Sequence, residues 1–434
     1  MTRNACFRSG LLVMVGAVAV PALALGQGPA RPASAAKRVI KQDKVVAGSP
    51  EDFMEVRHVV LKGTNEEIGR ALATIAKERY EVKPVPSTDR LRTRAQRRYL
   101  ERNYPILLDR MRGVAGAFDK QVDDDGFNFS GLGYPINFSA GCSVVYYPPT
   151  VTTTGTGVVS RNYDFTTGSL RGTRPAKGEL AATARPYIVE MYPDRGYASL
   201  AIYSYDLLSG VLDGINSEGL TVALLADDET VEKYSMEPAG LDPAGLGEVQ
   251  MPRLLLDTCA TAEEAKEALL MTKKSYSFNP VHYLVADRHG KGFVWEYSQH
   301  RNREYIIENP DKPLITTNFS LHRYLEGKGP PSAAKVKDVC ARYCKMAELV
   351  AAQPGRTTVE SIKEVHRAAD MVAAPVSTRA PNRTLWHALY FPNERKVQVS
   401  FYLRDDSDPT NKDKTRIVRT DYLDFTLDKA KTMQ

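Results

Sequence analysis

The sequence predicts an α+β fold. Three observations carry it: helical periodicity dominates before residue 130, a long series of β-rich runs begins at Cys142, and helices then return in blocks instead of alternating with single strands. Strictly alternating βαβ units would call for a parallel sheet, whereas long neighbouring strands with helices gathered between them call for antiparallel layers.

The elements follow in order. Arg3 and Arg8 precede the apolar run Leu11 to Leu25, with small and polar residues after it. That pattern reads as an export signal over 1–27, too short and too rich in Ala and Gly for a membrane span, which places the protein in the periplasm or the medium with no membrane insertion of the mature chain. Residues 28–50 read as a flexible leader and 51–141 as a mainly helical segment. Within it "FMEVRHVVLKG" is a strand, and Thr64 with Glu67 has capping-box spacing ahead of an amphipathic helix. Two more helices follow; the Arg-rich stretch Ser87 to Gly113 has an apolar side of Leu91, Tyr99, Tyr104, Ile106, Leu107 and Met111, so its charge reads as a solvated face.

From Cys142 onward "CSVVYYPP", "GTGVVSRNYDF", "RPYIVEMYPD" and "GYASLAIYSYDLLSGVLDGINSEGLTVALLADD" read as strands, and Asn216 to Gly219 as a tight turn. Helical signal returns at "MPRLLLDTCATAEEAKEALLMT", with Thr261 and Glu264 as a second capping box. A hairpin turning at Asp287 to Gly290 follows, then the strand "PLITTNFS", the helices "SAAKVKDVCARYCKMAELVAAQ" and "TVESIKEVHRAADMVAA", and a last hairpin about Pro392-Asn393. Residues 142–434 are read as one domain.

Composition narrows the chemistry. The formal charge of +6 comes without any base-stacking module interleaved with the basic residues, which argues against nucleic-acid binding. Once the signal is gone four cysteines remain, Cys142, Cys259, Cys340 and Cys344, too dispersed for a disulfide framework. No zinc motif, phosphate loop or G-x-S-x-G elbow is present, so neither a metal nor an organic cofactor is implied.

Cysteine chemistry remains. A papain-like reading would use Cys142 with His282 and Asn318, but that nucleophile begins a helix, and "CSVVYYPP" is β-branched and aromatic. A cysteine that begins a strand suits another device. If the bond between Gly141 and Cys142 breaks, the new α-amine lies beside its own sulfur and can take the thiol proton, since an α-amine titrates at roughly 7.7 to 8. Gly141 lacks a Cβ, which lets the thiol approach the preceding carbonyl.

"GCSVVYYPPTVTTTGTGVVSRNYDF" resembles the start of the mature chain in N-terminal-nucleophile amidohydrolases of the choloylglycine hydrolase and acid ceramidase type, nearest the isopenicillin N acyltransferase branch. Further matches come in the same order: "LKGTNEEIGRALA", "GINSEGLTVALLADD", "MPRLLLDTCATAEEAKEAL", "ITTNFS" and "TLWHALYFPNERKVQVSF". The resemblance implies a four-layer αββα fold of two antiparallel sheets between helical layers. It implies self-cleavage, with the N-terminal chain kept as partner in a heterodimer, and attack on a small-molecule acyl amide. It makes Cys142 the nucleophile, Asp164 the carboxylate that orients the α-amine, Arg161 the neighbour favouring thiolate, and Asn318 an oxyanion donor with a backbone N–H near Ala226. Asn216 is matched to a catalytic residue too, although Asn-Ser-Glu-Gly is turn chemistry. Arg161 and Asp164, three apart, point to opposite faces of an ideal strand, so a bend or bulge is expected. An arginine that several relatives carry after the Thr-Asn strand is missing from "GKGPPSAAK", where only Lys328 and Lys335 are basic. An exported, unprocessed binding protein with Cys142 as a packed thiol is the competing expectation.

Overall fold

The computed structural model describes residues 39–133, 141–168, 181, 183–203, 210–228, 243–275, 280–298, 301–327, 329–371, 381–408 and 411–428. The expected signal and residues 28–38 of the expected leader lie outside them.

The chain opens with β1 (Ile40–Ala47) and β2 (Val56–Gly63), then α1 (Asn65–Tyr80), β3 (Lys83–Pro86), α2 (Arg90–Asn103), α3 (Pro105–Ala117) and β4 (Phe127–Gly133). A run of strands follows: β5 (Gly141–Tyr147), β6 (Val158–Thr166), β7 (Tyr187–Pro193), β8 (Ser199–Tyr203), β9 (Asp213–Asn216) and β10 (Thr221–Ala226). After α4 (Gln250–Thr258) and α5 (Ala262–Met271) come β11 (Val281–Ala286), β12 (Gly292–Ser298), β13 (Arg303–Glu308) and β14 (Leu314–Thr316). The chain then forms a 3₁₀ turn (Leu321–Arg323), α6 (Ala333–Val336), α7 (Ala341–Ala351) and α8 (Val359–Arg367) before β15 (Asn382–Phe391), β16 (Lys396–Asp408), β17 (Asn411–Arg419) and β18 (Leu423–Thr426).

Sequence chemistry explains the boundaries. Thr64 and Glu67 form the reciprocal cap expected of them, and Thr261 caps α5. Pro105 at the first position of α3 ends the Arg-rich helix at Asn103 and starts the next, because proline tolerates N1 and breaks an interior. The segment expected as one helix from Ser332 is two, α6 and α7, with Cys340 in extended conformation at the N-cap position of the second and making no side-chain cap bond. Leu91, assigned to the apolar side of α2, is instead exposed.

Strand order in the first sheet is β1-β2-β7-β8-β9-β10-β11-β12-β13, and in the second β14-β5-β6-β15-β16-β17, with β18 also on β16. Residues 40–47 are therefore an edge strand of the first sheet, where a flexible leader was expected. That sheet is not purely antiparallel, since β2 and β7 pair in parallel. A parallel pair needs a long crossover, and the chain between them supplies α1 to α3 as well as β5 and β6.

Alternation along each strand separates two cores. Val59, Leu61, Val189, Met191, Val222, Tyr283 and Trp295 on one face of the first sheet share a cluster with side chains of α1, α3, α4 and α5. Val60, Ile188, Leu200, Ala223 and Leu284 on the other face share a cluster with Cys142, Val144, Tyr163, Trp386 and Val399 of the second sheet and with Met346 and Ile362 of α7 and α8. Among the described residues there is no helix long and apolar enough to cross a membrane.

Candidate active site

Cys142 sits second in β5, whose pairing with β6 is regular from Gly141↔Asp164 to Tyr147↔Val158. Cross-strand partners share a face, so Cys142, Val144, Tyr163 and Arg161 look into the core between the sheets, while Gly141, Ser143, Asn162 and Asp164 look toward α7 and α8. The bend expected between Arg161 and Asp164 is absent from this ladder. It is not needed, because the two side chains meet different parts of Cys142: one faces its sulfur and the other its backbone. The irregularity lies on β15, between Thr384 and Trp386, and Thr384 there donates to Asp164 Oδ1 at 2.6 Å.

On the inner face Arg161 Nη2 lies 3.7 Å from Cys142 Sγ and donates to the Leu224 carbonyl at 3.1 Å. Its Nη1 lies 3.2 Å from Asp213 Oδ2, which also accepts from Trp386 Nε1 at 3.2 Å. The guanidinium spreads over the rings of Tyr163 and Trp386, 4.9 and 5.8 Å from their centroids. Arg161 and Asp213 are both fully buried. Burial depresses the Arg161 pKa, but the Asp213 carboxylate, together with Cys142, Tyr390 and Tyr163, holds the guanidinium above its ordinary value. Burial likewise pushes the Cys142 thiol up, with Arg161 and Arg342 pulling the other way and Asp164 and Asp213 adding to the rise. In the uncleaved chain the sulfur is therefore a protonated thiol at neutral pH.

On the outer face the Cys142 backbone N–H donates to Asn318 Oδ1 at 2.6 Å. Arg342, from the first turn of α7, ties this corner together: Nη1 donates to Asp164 Oδ2 at 2.9 Å and to the Cys142 carbonyl at 3.0 Å, and Nη2 donates to Asn318 Oδ1 at 2.8 Å. Asp164 is wholly buried, and burial raises its pKa against the pull of Arg342 and the Thr384 hydroxyl. A Cβ on Gly141 would stand 3.1 Å from Asp164 Cβ and 3.2 Å from its Oδ2, so that carboxylate lies directly beside the peptide bond between residues 141 and 142.

The structure thus gathers Gly141, Cys142, Arg161, Asp164 and Asn318 and leaves Asn216 out. Asn216 accepts from the N–H groups of Glu218 and Leu220 and donates to the carbonyls of Leu256 and Cys259, closing its own hairpin and holding the end of α4. Its place is the turn, as the Asn-Ser-Glu-Gly chemistry indicates. Ala226 joins the site through its carbonyl, which accepts from Asn318 Nδ2 at 2.8 Å, where a backbone N–H donor was expected. The papain-like pairing fails on His282, whose ring is bonded to Asp227 and Thr316.

Two site residues escaped the sequence. Arg342 lies 24 residues beyond Asn318, past the segment in which an arginine was sought, and only the turn into α7 brings it back. Asp213 opens "DGINSEGLTVALL", a run that contains a second acid, Glu218, and nothing in it pairs Asp213 with Arg161.

The fold is mixed α+β, and polar groups meet Cys142 from both faces of its strand. Residues 151–405, more than half of the chain, match the family model "Acyl-coenzyme A:6-aminopenicillanic acid acyl-transferase", and the chain belongs to that family of acyltransferases and amide hydrolases. Similar solved structures include a variant of conjugated bile acid hydrolase from Clostridium perfringens (TM-score 0.41, 16% identity, 65% of this chain and 97% of that one). Penicillin V acylase from Agrobacterium tumefaciens (0.35, 14%, 64% and 91%) and a Caenorhabditis elegans ortholog of N-acylethanolamine-hydrolyzing acid amidase (0.37, 19%, 64% and 99%) are also similar. Among curated proteins no sequence matches it.

Proposed function

We propose that the chain is the precursor of a cysteine amidohydrolase or acyltransferase that cleaves itself between Gly141 and Cys142. The observation that carries this reading is the arrangement about one residue: polar groups converge on the backbone nitrogen of Cys142 from one side of the sheet and on its sulfur from the other. A packed structural thiol has no use for a carboxylate, an amide and a guanidinium around its main chain.

In the precursor the thiol attacks the Gly141 carbonyl. The acyl group passes from the Cys142 nitrogen to its sulfur, freeing the α-amine as the C–N bond breaks, and water hydrolyses the thioester to release the Gly141 carboxylate and the thiol. Residues 28–141 then remain with 142–434 as a heterodimer, and the whole is a four-layer αββα sandwich. In the mature enzyme the α-amine replaces the peptide N–H beside Asn318 and the bridge from Arg342 to Asp164. It takes the thiol proton, while Arg161 favours the thiolate. Sulfur attacks a linear amide carbonyl, the amine leaves with the proton, and water or an acceptor amine resolves the thioester. Asn318 Nδ2, released from the Ala226 carbonyl, is the donor to the oxyanion; loss of one such donor typically costs about 3 kcal/mol of barrier. The apolar run at residues 11–25 supports export to the periplasm or medium.

The test is a denaturing gel with intact mass analysis of wild type and Cys142→Ala. Two fragments in the wild type whose larger piece begins at Cys142, and a single chain in the variant, are expected. A wild type that stays in one piece while it turns over an acyl amide, or one cleaved as efficiently without the thiol, overturns the proposal.

A further inference from the structure

Behind Asn318 lies a buried polar cluster that the chemistry above does not use. Asp227, His282 and Glu296 stand side by side at the ends of β10, β11 and β12; His282 and Glu296 are direct register partners. All three are buried, His282 completely. Their potential ligand atoms lie within 4.8 Å of one another, a spacing that would suit a cation. The donors already present argue otherwise. His282 Nδ1 donates to Asp227 Oδ2 at 3.0 Å, Ser320 Oγ donates to Asp227 Oδ1 at 2.5 Å, and Glu296 accepts from the Leu321 and His322 backbone N–H groups at 2.7 and 2.9 Å and from His322 Nδ1 at 2.8 Å. A metal would have to displace these.

Every one of those donors comes from His282 or from the segment that leaves β14 and enters the 3₁₀ turn. That segment carries Asn318. His282 Nε2 meets Thr316 Oγ1 at 2.9 Å, two residues before Asn318, and Asp227 holds Ser320, two residues after it. Glu296 fixes the next two residues, and Ala226, next to Asp227, takes the Asn318 amide itself. Asn318 follows the second sheet's edge strand and meets Cys142 and Arg342 through its Oδ1, yet the contacts that hold its Nδ2 and its flanks at Thr316, Ser320, Leu321 and His322 reach across to the first sheet.

We propose that Asp227, His282 and Glu296 form a strut between the two sheets that positions Asn318 against Cys142. They are positioning residues; none of them touches the sulfur. The inference rests on the reading of Cys142 as the self-cleaving nucleophile, because that gives the position of Asn318 its consequence. Hydrogen bonds at both flanks fix the amide in the plane where it meets the Cys142 nitrogen, and a displacement of about 1 Å in such a group can cost about a hundredfold in rate. Burial favours neutral His282, but Asp227, with Glu296 and the Thr317 backbone, raises the imidazole pKa, which favours the proton on Nδ1 that the contact with Asp227 needs.

The test has two arms on the full chain. Hydrogen exchange of the amides of residues 317–322 is compared in wild type, His282→Ala and Ser320→Ala, all in a Cys142→Ala background. The first-order rate of self-cleavage after cell-free synthesis is measured for His282→Ala alone, Asn318→Ala alone and the pair. We expect faster exchange confined to that segment with the rest of the molecule as protected as before, a loss of about tenfold or more in cleavage rate for His282→Ala, and a loss under about twofold when the same change is made on Asn318→Ala. His282→Gln, which keeps one polar contact, should recover part of the rate. Unchanged exchange at 317–322, or an equal fold-loss with and without Asn318, overturns the proposal. Ser320→Ala removes a single hydroxyl and serves if His282→Ala does not fold. A wild type that does not cleave refutes the nucleophile reading alone, and the exchange arm still decides on the strut.

Discussion

Arg342 is the residue whose removal tests the site most directly. Replacing it with Met keeps much of the stem and deletes three bonds at once: to Asp164 at 2.9 Å, to the Cys142 carbonyl at 3.0 Å and to Asn318 at 2.8 Å. Asp164 has no exposed surface and loses its ion-pair partner, a change that costs about 3 to 5 kcal/mol in a fully buried pair. Arg342 is itself 22% exposed, so water enters where the guanidinium was, and the Thr384 hydroxyl stays on the carboxylate at 2.6 Å. We therefore expect a loss of about 2 to 3 kcal/mol at pH 7. The pH dependence has a definite sign. Without Arg342 the Asp164 pKa, already raised by burial, rises further, so folding disfavours the charged form more than in the wild type. The deficit is then full at neutral pH and shrinks as acid protonates Asp164. Urea unfolding between pH 4 and 8, with both chains in a Cys142→Ala background so that each is a single uncleaved molecule, measures it. A deficit under about 0.5 kcal/mol at pH 7, or one that does not narrow toward pH 4, refutes the reasoning. With Cys142 restored, Arg342→Met should slow self-cleavage and Arg342→Lys should recover part of the rate.

Other expectations follow from single contacts. Asn216→Ala strips the bonds that close its turn and hold the end of α4; it should cost about 2 to 4 kcal/mol in thermal or urea unfolding while self-cleavage at low temperature proceeds at nearly the wild-type rate. A catalytic Asn216 would show the reverse. Asp213→Asn leaves Arg161 buried without its carboxylate and should destabilise by about 3 kcal/mol. It also removes a charge that raises the Cys142 pKa, so in the processed protein the pH profile of thiol alkylation should move to lower pH. Asp370 is held at about 6 by burial, against an ordinary 3.8. The folded state thus favours its protonated form, and Asp370 destabilises the protein as pH rises from about 4 through 6, by at most about 3 kcal/mol. Asp370→Asn should flatten the stability curve across that window, and an unaltered curve would show the carboxyl to be solvated.

The division between what was legible in the chain and what was not has a physical basis. Caps and turns act over a few residues, so Thr64 with Glu67 and Asn216 to Gly219 announced their elements locally. Cys142 at the head of a strand marked the candidate nucleophile, and the order of the surrounding motifs pointed to the α+β class. The edge strand at 40–47 was hidden because half of its residues, "IKQDKVVA", are polar and all but Ala47 are exposed or half-exposed, and what makes them a strand is the hydrogen-bonding edge of β2. The parallel pairing of β2 with β7 joins segments separated by three helices, and no local propensity encodes a crossover. The site followed the same rule. Sequence spacing set Arg161 and Asp164 on opposite faces of β6, which is where they are. Only the pairing of β5 with β6, and the placing of a helix on one face and a sheet on the other, decided that opposite faces would serve opposite ends of one cysteine.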